Sequence, residues 1–430
     1  MTKKRKRKFK KGGLLLILIV LLGGVFFAFY NKILNDRKIE DAENRKKALI
    51  NDIKEHYNEY VKTSKETKLF DKDGKEIGTI GKNVELALDQ VDINEDTKNF
   101  KIKEFEDLYI GYSDVIAIDK LSEVSSRYKE YIPFNLNILT KNKTSFYDEG
   151  NELVYSFDKS YDLPIIIKDN DRYGVEFNNR LLYVKSDDVE KIYEHKNTDK
   201  KNASGIGVLN YHAFYDQNNS KEASECNTVI CHSKAQFKTH LDYFKSHNML
   251  TLQMKEVEMY IDGKLQLPKS VLITIDDGGR TRLGIDMLTE YKMYATIFLV
   301  TSWFDPKDYY KTDYIELHSH SHHMHETGAC PTGQGGGIQC LSEDKIQEDL
   351  KTSREKLNNT TYFCYPFYEY NDYSIRMLKQ AGFTMAFDGE KSYGDNLVHP
   401  GDDKFRLRRF VIVTYTTLND FDNYFGQIKA

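Results

Sequence analysis

Seven prolines and 26 glycines in 430 residues are too few for a collagen-like or largely disordered chain, and five cysteines are too few for a small disulfide-built scaffold. No C-x-x-C pair occurs, so the usual four-cysteine zinc ribbon is not expected. The net charge is only -4, yet Lys3, Lys4, Arg5, Lys6, Arg7, Lys8, Lys10 and Lys11 all fall before residue 12. The remainder is therefore acidic and does not suit a nucleic-acid partner. What is left, at 40 % hydrophobic, 13 % aromatic and 30 % charged residues, is the composition of globular protein long enough for two or three domains.

The basic cluster leads into an uncharged, mostly apolar run from Leu14 to Tyr30 that reaches about 19 residues with Gly12 and Gly13. At about 1.5 Å per residue this is just enough to cross the hydrocarbon of a bilayer. A cleaved signal peptide would need a shorter apolar stretch and a small-residue cleavage site, which Phe26-Phe-Ala-Phe-Tyr30 does not supply. The expectation is a cytoplasmic segment over 1–11, an uncleaved transmembrane helix over 12–30, and everything beyond outside the cytoplasm.

Residues 31–62 are charged, rich in helix formers and free of proline and glycine, which suits a helical stalk. From 63 to 193 the chain turns to aromatic and β-branched residues broken by turns, and it repeats itself. Thr67-Lys-Leu-Phe-Asp-Lys-Asp-Gly-Lys-Glu-Ile77 returns as Thr144-Ser-Phe-Tyr-Asp-Glu-Gly-Asn-Glu-Leu153, and Leu108–Val115 returns as Leu182–Val189. Two small β-rich modules, 63–130 and 131–193, are expected; their strand and turn pattern resembles bacterial SH3-type wall modules, though a spacer without a ligand fits equally. A polar, aperiodic stretch over 194–204 reads as a linker. From 205 to 430 short apolar runs alternate with helical stretches, the rhythm of parallel strands with crossover helices, as a barrel or an open sheet. Active sites in such α/β folds sit at the carboxyl ends of the strands.

That rule selects a place. Val271-Leu-Ile-Thr-Ile275 is apolar enough to be a buried strand, and it runs straight into Asp276, Asp277, Gly278 and Gly279. Adjacent carboxylates at a strand end repel unless a cation or proton separates them. A second strand-like run, Tyr314–Leu317, is followed by His318-Ser-His-Ser-His-His-Met-His325, which holds five of the twelve histidines in eight residues. Neutral imidazole is the commonest metal ligand, and a zinc-like site that must also hold substrate takes three protein ligands and keeps a position open. One Asp with two His meets that need.

Together these residues resemble the polysaccharide deacetylases of the NodB-homology type, carbohydrate esterase family four. Thr274-Ile-Asp-Asp-Gly278 matches the family's T-F-D-D-G motif, the histidine tract stands where H-[ST]-x-x-H is expected, Tyr365-Pro-Phe367 corresponds to its third motif, and Leu209-Asn-Tyr-His-Ala-Phe214 looks like the opening strand. The resemblance covers about 205–425 and implies a distorted (β/α) barrel. It implies Asp276 as general base, Asp277 as metal ligand, and the backbone N–H of Phe367 as oxyanion donor. For the remaining ligands His318 and His322 fit the shorter spacing, whereas His320 and His325 fit that of the poly-N-acetylglucosamine deacetylase branch and are preferred. The implied cofactor is a divalent metal ion, zinc with cobalt or nickel as alternatives.

Two family features are missing. The third motif usually begins with an Arg that holds the catalytic Asp, but Cys364 stands there; Arg409, or its neighbour Arg408, is expected to replace it from a later strand, as in the poly-N-acetylglucosamine branch. The late Leu-x-His that supplies the general acid is absent, which leaves His399, a histidine of the cluster or protonated Asp276 for that role. Cysteine spacing in an oxidising location suggests local Cys226–Cys231 and Cys330–Cys340 bridges with Cys364 alone, the second bridge stapling a glycine-rich loop at the rim of the site.

The expected protein is therefore a membrane-anchored, extracytoplasmic, metal-dependent N-deacetylase of a cell-envelope glycan, either peptidoglycan or poly-N-acetylglucosamine. Its partners are that glycan and the cytoplasmic membrane; no protein partner is implied. Two rivals stand beside this reading: a wall-binding protein with weakened catalysis, and an O-acetyl polysaccharide esterase of the xylan type.

Overall fold

The computed structural model describes residues 11–56, 59–94, 99–309, 312–389 and 395–429. One helix runs from Lys11 to His56 and the first strand begins at Tyr60. Among the described residues no helix is long and apolar enough to cross a membrane. The basic segment 1–10 lies outside the described residues, as do the side chains of 11–23, which make up much of the apolar run.

The chain divides into two compact units, residues 1–124 with 143–159 and residues 125–142 with 160–430. In the first, antiparallel strands dominate. The sequence repeat has a physical counterpart: Thr67–Phe70 and Glu76–Ile80 form one hairpin, Thr144–Tyr147 and Leu153–Phe157 another. Each is turned by an aspartate whose Oδ1 accepts a backbone N–H four residues on, Asp71 from Lys75 and Asp148 from Glu152. The left-handed position that each turn requires is filled by Gly74 and by Asn151, the two residue types that adopt it most readily. Strand 153–157 then pairs with strand 76–80, so the hairpin expected within a second module belongs to the first unit.

In the second unit the rest of that expected module is bound into the domain that follows it. Ile166, Ile167 and Tyr183 share a buried cluster with Val208, Leu265 and Leu272, and Ile167 bridges Leu265. The Arg127 guanidinium sets two 2.7 Å bonds on the Glu256 carboxylate. The stretch expected as a linker has no helix or strand over 195–204, yet it is pinned: Ala203 N–H donates to Leu267 O, and its own carbonyl accepts from the Tyr260 hydroxyl.

The eight-stranded sheet of the second unit is parallel throughout. Its strands are β1 (Gly207–Tyr211), β2 (Leu250–Thr251), β3 (Ser270–Asp277), β4 (Ala295–Leu299), β5 (Ile315–Ser319), β6 (Tyr362–Cys364), β7 (Met385–Phe387) and β8 (Phe410–Val411), in the order β7-β6-β5-β4-β3-β1-β8 with β2 beside the start of β3. Both faces are buried. Ile273, Ile275, Ile297, Leu299 and Leu317 share one cluster, whereas Leu272, Phe298, Cys364, Met385 and Phe387 form the other. The period of two along β3 therefore puts Asp276 on the second face, with Leu272 and Thr274. The segment after β7 nearly closes the ring: Leu407 bridges Phe387 in β7, and three residues later Phe410 pairs with Leu209 in β1. Arg409 lies between these two contacts and is fully buried.

Candidate active site

β3 ends where the chemistry begins. Asp277 takes a left-handed backbone conformation, φ 71°, and Gly278 follows at φ 105°. A Cβ on Gly278 would stand 2.3 Å from Leu299 Cδ1, so glycine lets the chain turn there without displacing the Leu299 side chain. The reversal separates the two carboxylates: Asp276 is 1 % exposed, while Asp277 stands at the strand end.

Asp276 is gripped by Arg409. Nη1 donates to Oδ1 at 2.7 Å and Nη2 to Oδ2 at 2.8 Å. The other three guanidinium hydrogens go to Asp388 O, Thr274 Oγ1 and Cys364 Sγ, so all five donors are used. Burial opposes charge on Asp276, but the guanidinium outweighs it and holds the carboxyl well below the usual carboxylate range. Arg408 instead donates to Asp395 O at the surface. Of the two candidates, the structure puts Arg409 at Asp276. The small Cys364 fits this arrangement: it occupies the position expected for an Arg and lies against both partners, 3.0 Å from Nη2 and 3.5 Å from Oδ2.

Asp277, His320 and His325 converge, with one donor atom from each lying within 4.8 Å of the others. Asp277 Oδ1 is 3.5 Å from His320 Nε2 and 3.3 Å from His325 Nε2. That oxygen is buried and has no hydrogen-bond partner among the described residues. His320 Nδ1 lies 2.9 Å from the Cys364 carbonyl, which can accept only from a protonated Nδ1 and so aims the Nε2 lone pair at Asp277. An orphaned carboxylate oxygen facing two imidazole nitrogens fits a divalent cation with two His and one Asp ligand and room for substrate. Burial disfavours a charged His320, but its contacts with Cys364, Asp277 and Asp276 prevail and raise its proton affinity, so the site attracts positive charge. Burial, then the neighbouring His320, pushes His325 down to about 4.

His318 and His322 point elsewhere. His318 Nδ1 meets Thr360 Oγ1 at 2.7 Å, and His322 Nδ1 meets Thr301 Oγ1 at 3.0 Å. Neither belongs to the converging group, because the chain reverses at Ser321 with φ 72° and carries His325, not His322, back over the strand end. His399 is also remote from the chemistry. Its ring nitrogens bond Ser204 O and Asp395 Oδ2, and Ser204 precedes β1, at the amino ends of the strands. The expected option of His399 as proton donor is therefore excluded.

Phe367 and Tyr368 are consecutive left-handed residues, φ 59° and 62°, a conformation that costs a non-glycine residue about 1–3 kcal/mol. The turn brings the Phe367 ring to 4.3 Å from His325, and no hydrogen bond of its N–H is found among the described residues. The Tyr368 hydroxyl donates to Asn210 Oδ1 at 2.7 Å and lies 3.4 Å from His212 Nε2. His212 is the residue that motif reading passed over. It follows β1 directly, its Nδ1 is buried with no partner among the described residues, and burial lowers its pKa against the opposing pull of Asp276 and Asp277. The strand-end rule that selected Asp276 would have selected it as well.

Disulfides join Cys226 to Cys231 and Cys330 to Cys340, and Cys364 is free and buried. The Glu369 carboxylate ties the second loop to the Phe367 turn by accepting from the N–H groups of Gln334, Gly335 and Gly336 and from Gln339 Nε2.

A parallel ring of strands with an Arg-held Asp beside an Asp-His-His cluster at their carboxyl ends is the arrangement of a hydrolase. Residues 264–386 match the polysaccharide deacetylase family, and the chain carries a polysaccharide deacetylase domain. Among curated proteins it is 27 % identical over 237 residues to a poly-beta-1,6-N-acetyl-D-glucosamine N-deacetylase of Staphylococcus aureus, covering 48 % of this chain and 78 % of that one. It is also 26 % identical over 199 residues to a protein of the same name from Staphylococcus epidermidis, covering 41 % and 66 %. Among solved structures, IcaB from Ammonifex degensii aligns at 21 % identity and TM-score 0.43 over 52 % of this chain and 97 % of that one. A de-N-acetylase from Aggregatibacter actinomycetemcomitans aligns at 18 % and 0.42 over 51 % and 99 %.

Proposed function

We propose that this protein is a metal-dependent N-deacetylase of a cell-envelope poly-N-acetylglucosamine, working outside the cytoplasmic membrane. The observation that carries the reading is the pairing of a buried, Arg-held Asp276 with the orphaned Asp277 oxygen between His320 and His325. The sugar class rests on the curated relatives, which are named for poly-beta-1,6-N-acetyl-D-glucosamine; peptidoglycan is the second substrate to test.

Asp277, His320 and His325 would hold the cation, zinc with cobalt or nickel as substitutes, and that ion would polarise the acetamide carbonyl and acidify water. Asp276 takes the proton of the attacking water. Because two guanidinium bonds lower its basicity, the proton must move on rather than rest there. The Phe367 N–H, unbonded and held by the strained turn, is the donor for the oxyanion. As the carbon–nitrogen bond breaks, the proton taken by Asp276 passes through the neutral His212 to the departing amine, leaving acetate and a glucosamine unit. Tyr368 orients the His212 ring.

Acetate release from β-1,6-linked N-acetylglucosamine oligomers, measured on the full-length protein in detergent with added zinc, cobalt or nickel, tests the reading. Asp276→Asn should lower turnover by about 10²–10⁴-fold while the cation stays bound. Acetate from O-acetylated xylan alone would replace the N-deacetylase by an esterase, and glycan binding without acetate would favour the weakened wall-binding protein.

The extracytoplasmic location is supported by the eight basic residues ahead of the apolar run from Leu14 to Tyr30. Hairpins 67–80 and 144–157 support wall modules or a spacer of SH3 type in the amino-terminal unit. Protease added to intact cells with a permeable wall should remove the deacetylase domain and leave a short protected amino-terminal fragment. A mature form beginning near residue 31 would identify a cleaved signal instead.

A further inference from the structure

Glu369 stands two residues beyond Phe367, at the end of the Pro366–Tyr368 turn. Its carboxylate is taken up by the glycine-rich loop. Oε1 accepts the Gln334 N–H, and Oε2 accepts the N–H groups of Gly335 at 3.2 Å and Gly336 at 3.0 Å and the Gln339 side-chain amide at 2.9 Å. Successive backbone N–H groups aimed at one point form an anion-binding nest, and here a side chain of the same chain fills it. The glycines of the loop follow from this. Gly333 and Gly335 take left-handed conformations, φ 58° and 91°, and a Cβ on Gly333 would collide with the Glu369 carboxylate.

The loop is fixed by means other than Glu369. The Cys330–Cys340 disulfide closes it, Ile338 is buried in a cluster with Met324, Phe363 and Tyr365, and Ser374 Oγ and Asn371 Nδ2 donate to the Ile338 and Gln339 carbonyls. The Gly337 N–H donates to Met324 O, next to His325. One stapled loop therefore joins the histidine tract to the Phe367 turn. That turn needs a hold, because Phe367 and Tyr368 both keep a backbone conformation that non-glycine residues adopt only when their surroundings impose it. The Tyr368 hydroxyl fastens it from one side, on Asn210, and the Glu369 carboxylate from the other.

We propose that Glu369 is a positioning residue for the oxyanion donor: anchored in the loop that the disulfide closes, it keeps the Phe367 N–H directed at the oxygen on which charge develops. The proposal rests on the deacetylase reading above. A donor that wanders weakens binding of the transition state and leaves binding of the substrate almost unchanged, so the effect falls on kcat.

Glu369→Gln tests this in the full-length, zinc-loaded protein, because it keeps the side chain's size but turns an amide NH2 toward N–H donors. With β-1,6-linked N-acetylglucosamine oligomers its kcat should fall about 10- to 100-fold, with KM and zinc affinity within about twofold of the parent. A methylphosphonamidate analogue of the acetamide, whose phosphoryl oxygens stand in for the oxyanion, should lose affinity by the same factor as kcat/KM. A residue that only stabilised the fold would lower the melting temperature without this split. Cys330→Ser/Cys340→Ser should lower kcat about three- to tenfold, and adding it to Glu369→Gln should cost almost nothing more, because both act through one connection. The disulfide variant decides alone should Glu369→Gln not fold. Unchanged kcat in either variant, a loss shared equally by KM or zinc affinity, or losses that multiply in the combined variant overturn the role of Glu369 while the deacetylase stands. A parent protein that releases no acetate overturns the deacetylase reading, and the role of Glu369 with it.

Discussion

Arg409→Met is expected to abolish deacetylation and to destabilise the domain by about 3–5 kcal/mol, the range found when one member of a buried ion pair is removed. The loss is large because the guanidinium has no exposed part: Arg409 and Asp276 side chains are 0 % and 1 % accessible, and the substitution strands a carboxylate that water cannot reach. Denaturant melts of the two single variants and the double variant separate charge from packing. Asp276→Asn/Arg409→Met should recover most of the lost stability, since no charge remains to be compensated, and should stay inactive. Arg409→Lys should not restore turnover, because one ammonium cannot bond both carboxylate oxygens, Asp388 O, Thr274 and Cys364 together. An Arg409→Met protein that melts like the parent and still releases acetate would remove Arg409 from the site.

The same pair shows what the sequence could and could not yield. Asp276 and Asp277 were legible because a buried strand followed by charge and glycine is a local signal. That an Arg would reach Asp276 from a late strand was legible only as a choice between Arg408 and Arg409. Which of two neighbours faces inward depends on where Leu407 and Phe410 join opposite edges of the ring, contacts made across the whole domain. The preference for His320 and His325 over His318 and His322 came from the spacing of the resembled family branch, and the reversal at Ser321 that brings these two to Asp277 is a backbone fact. His212 went unread because a lone histidine carries no spacing signal; the strand-end rule marks its place, and its coupling to Asp276 and Asp277 distinguishes it. The repeated hairpins were visible as text, but the allocation of 143–159 to the first unit depends on the pairing of Tyr155 with Ile80, seventy-five residues back.

Cation affinity should divide the five substitutions Asp277→Asn, His320→Ala, His325→Ala, His318→Ala and His322→Ala into two groups. The first three remove an atom that faces the shared centre, and each should weaken zinc binding by well over tenfold, beyond the effect of losing a residue that only orients a ligand. His320→Ala should be the most severe of the histidine changes, because its imidazole also fixes the site to the Cys364 carbonyl. His318→Ala and His322→Ala lose bonds to Thr360 and Thr301 and should leave zinc affinity within a few-fold of the parent. Calorimetry measures the affinities. Cobalt or nickel also quenches a nearby indole, so Trp303, whose ring lies 5.1 Å from that of His325, gives an independent reading of occupancy. Binding that survives His320→Ala and His325→Ala but disappears with His318→Ala and His322→Ala would move the ligands to the other pair and leave the orphaned oxygen of Asp277 without its cation.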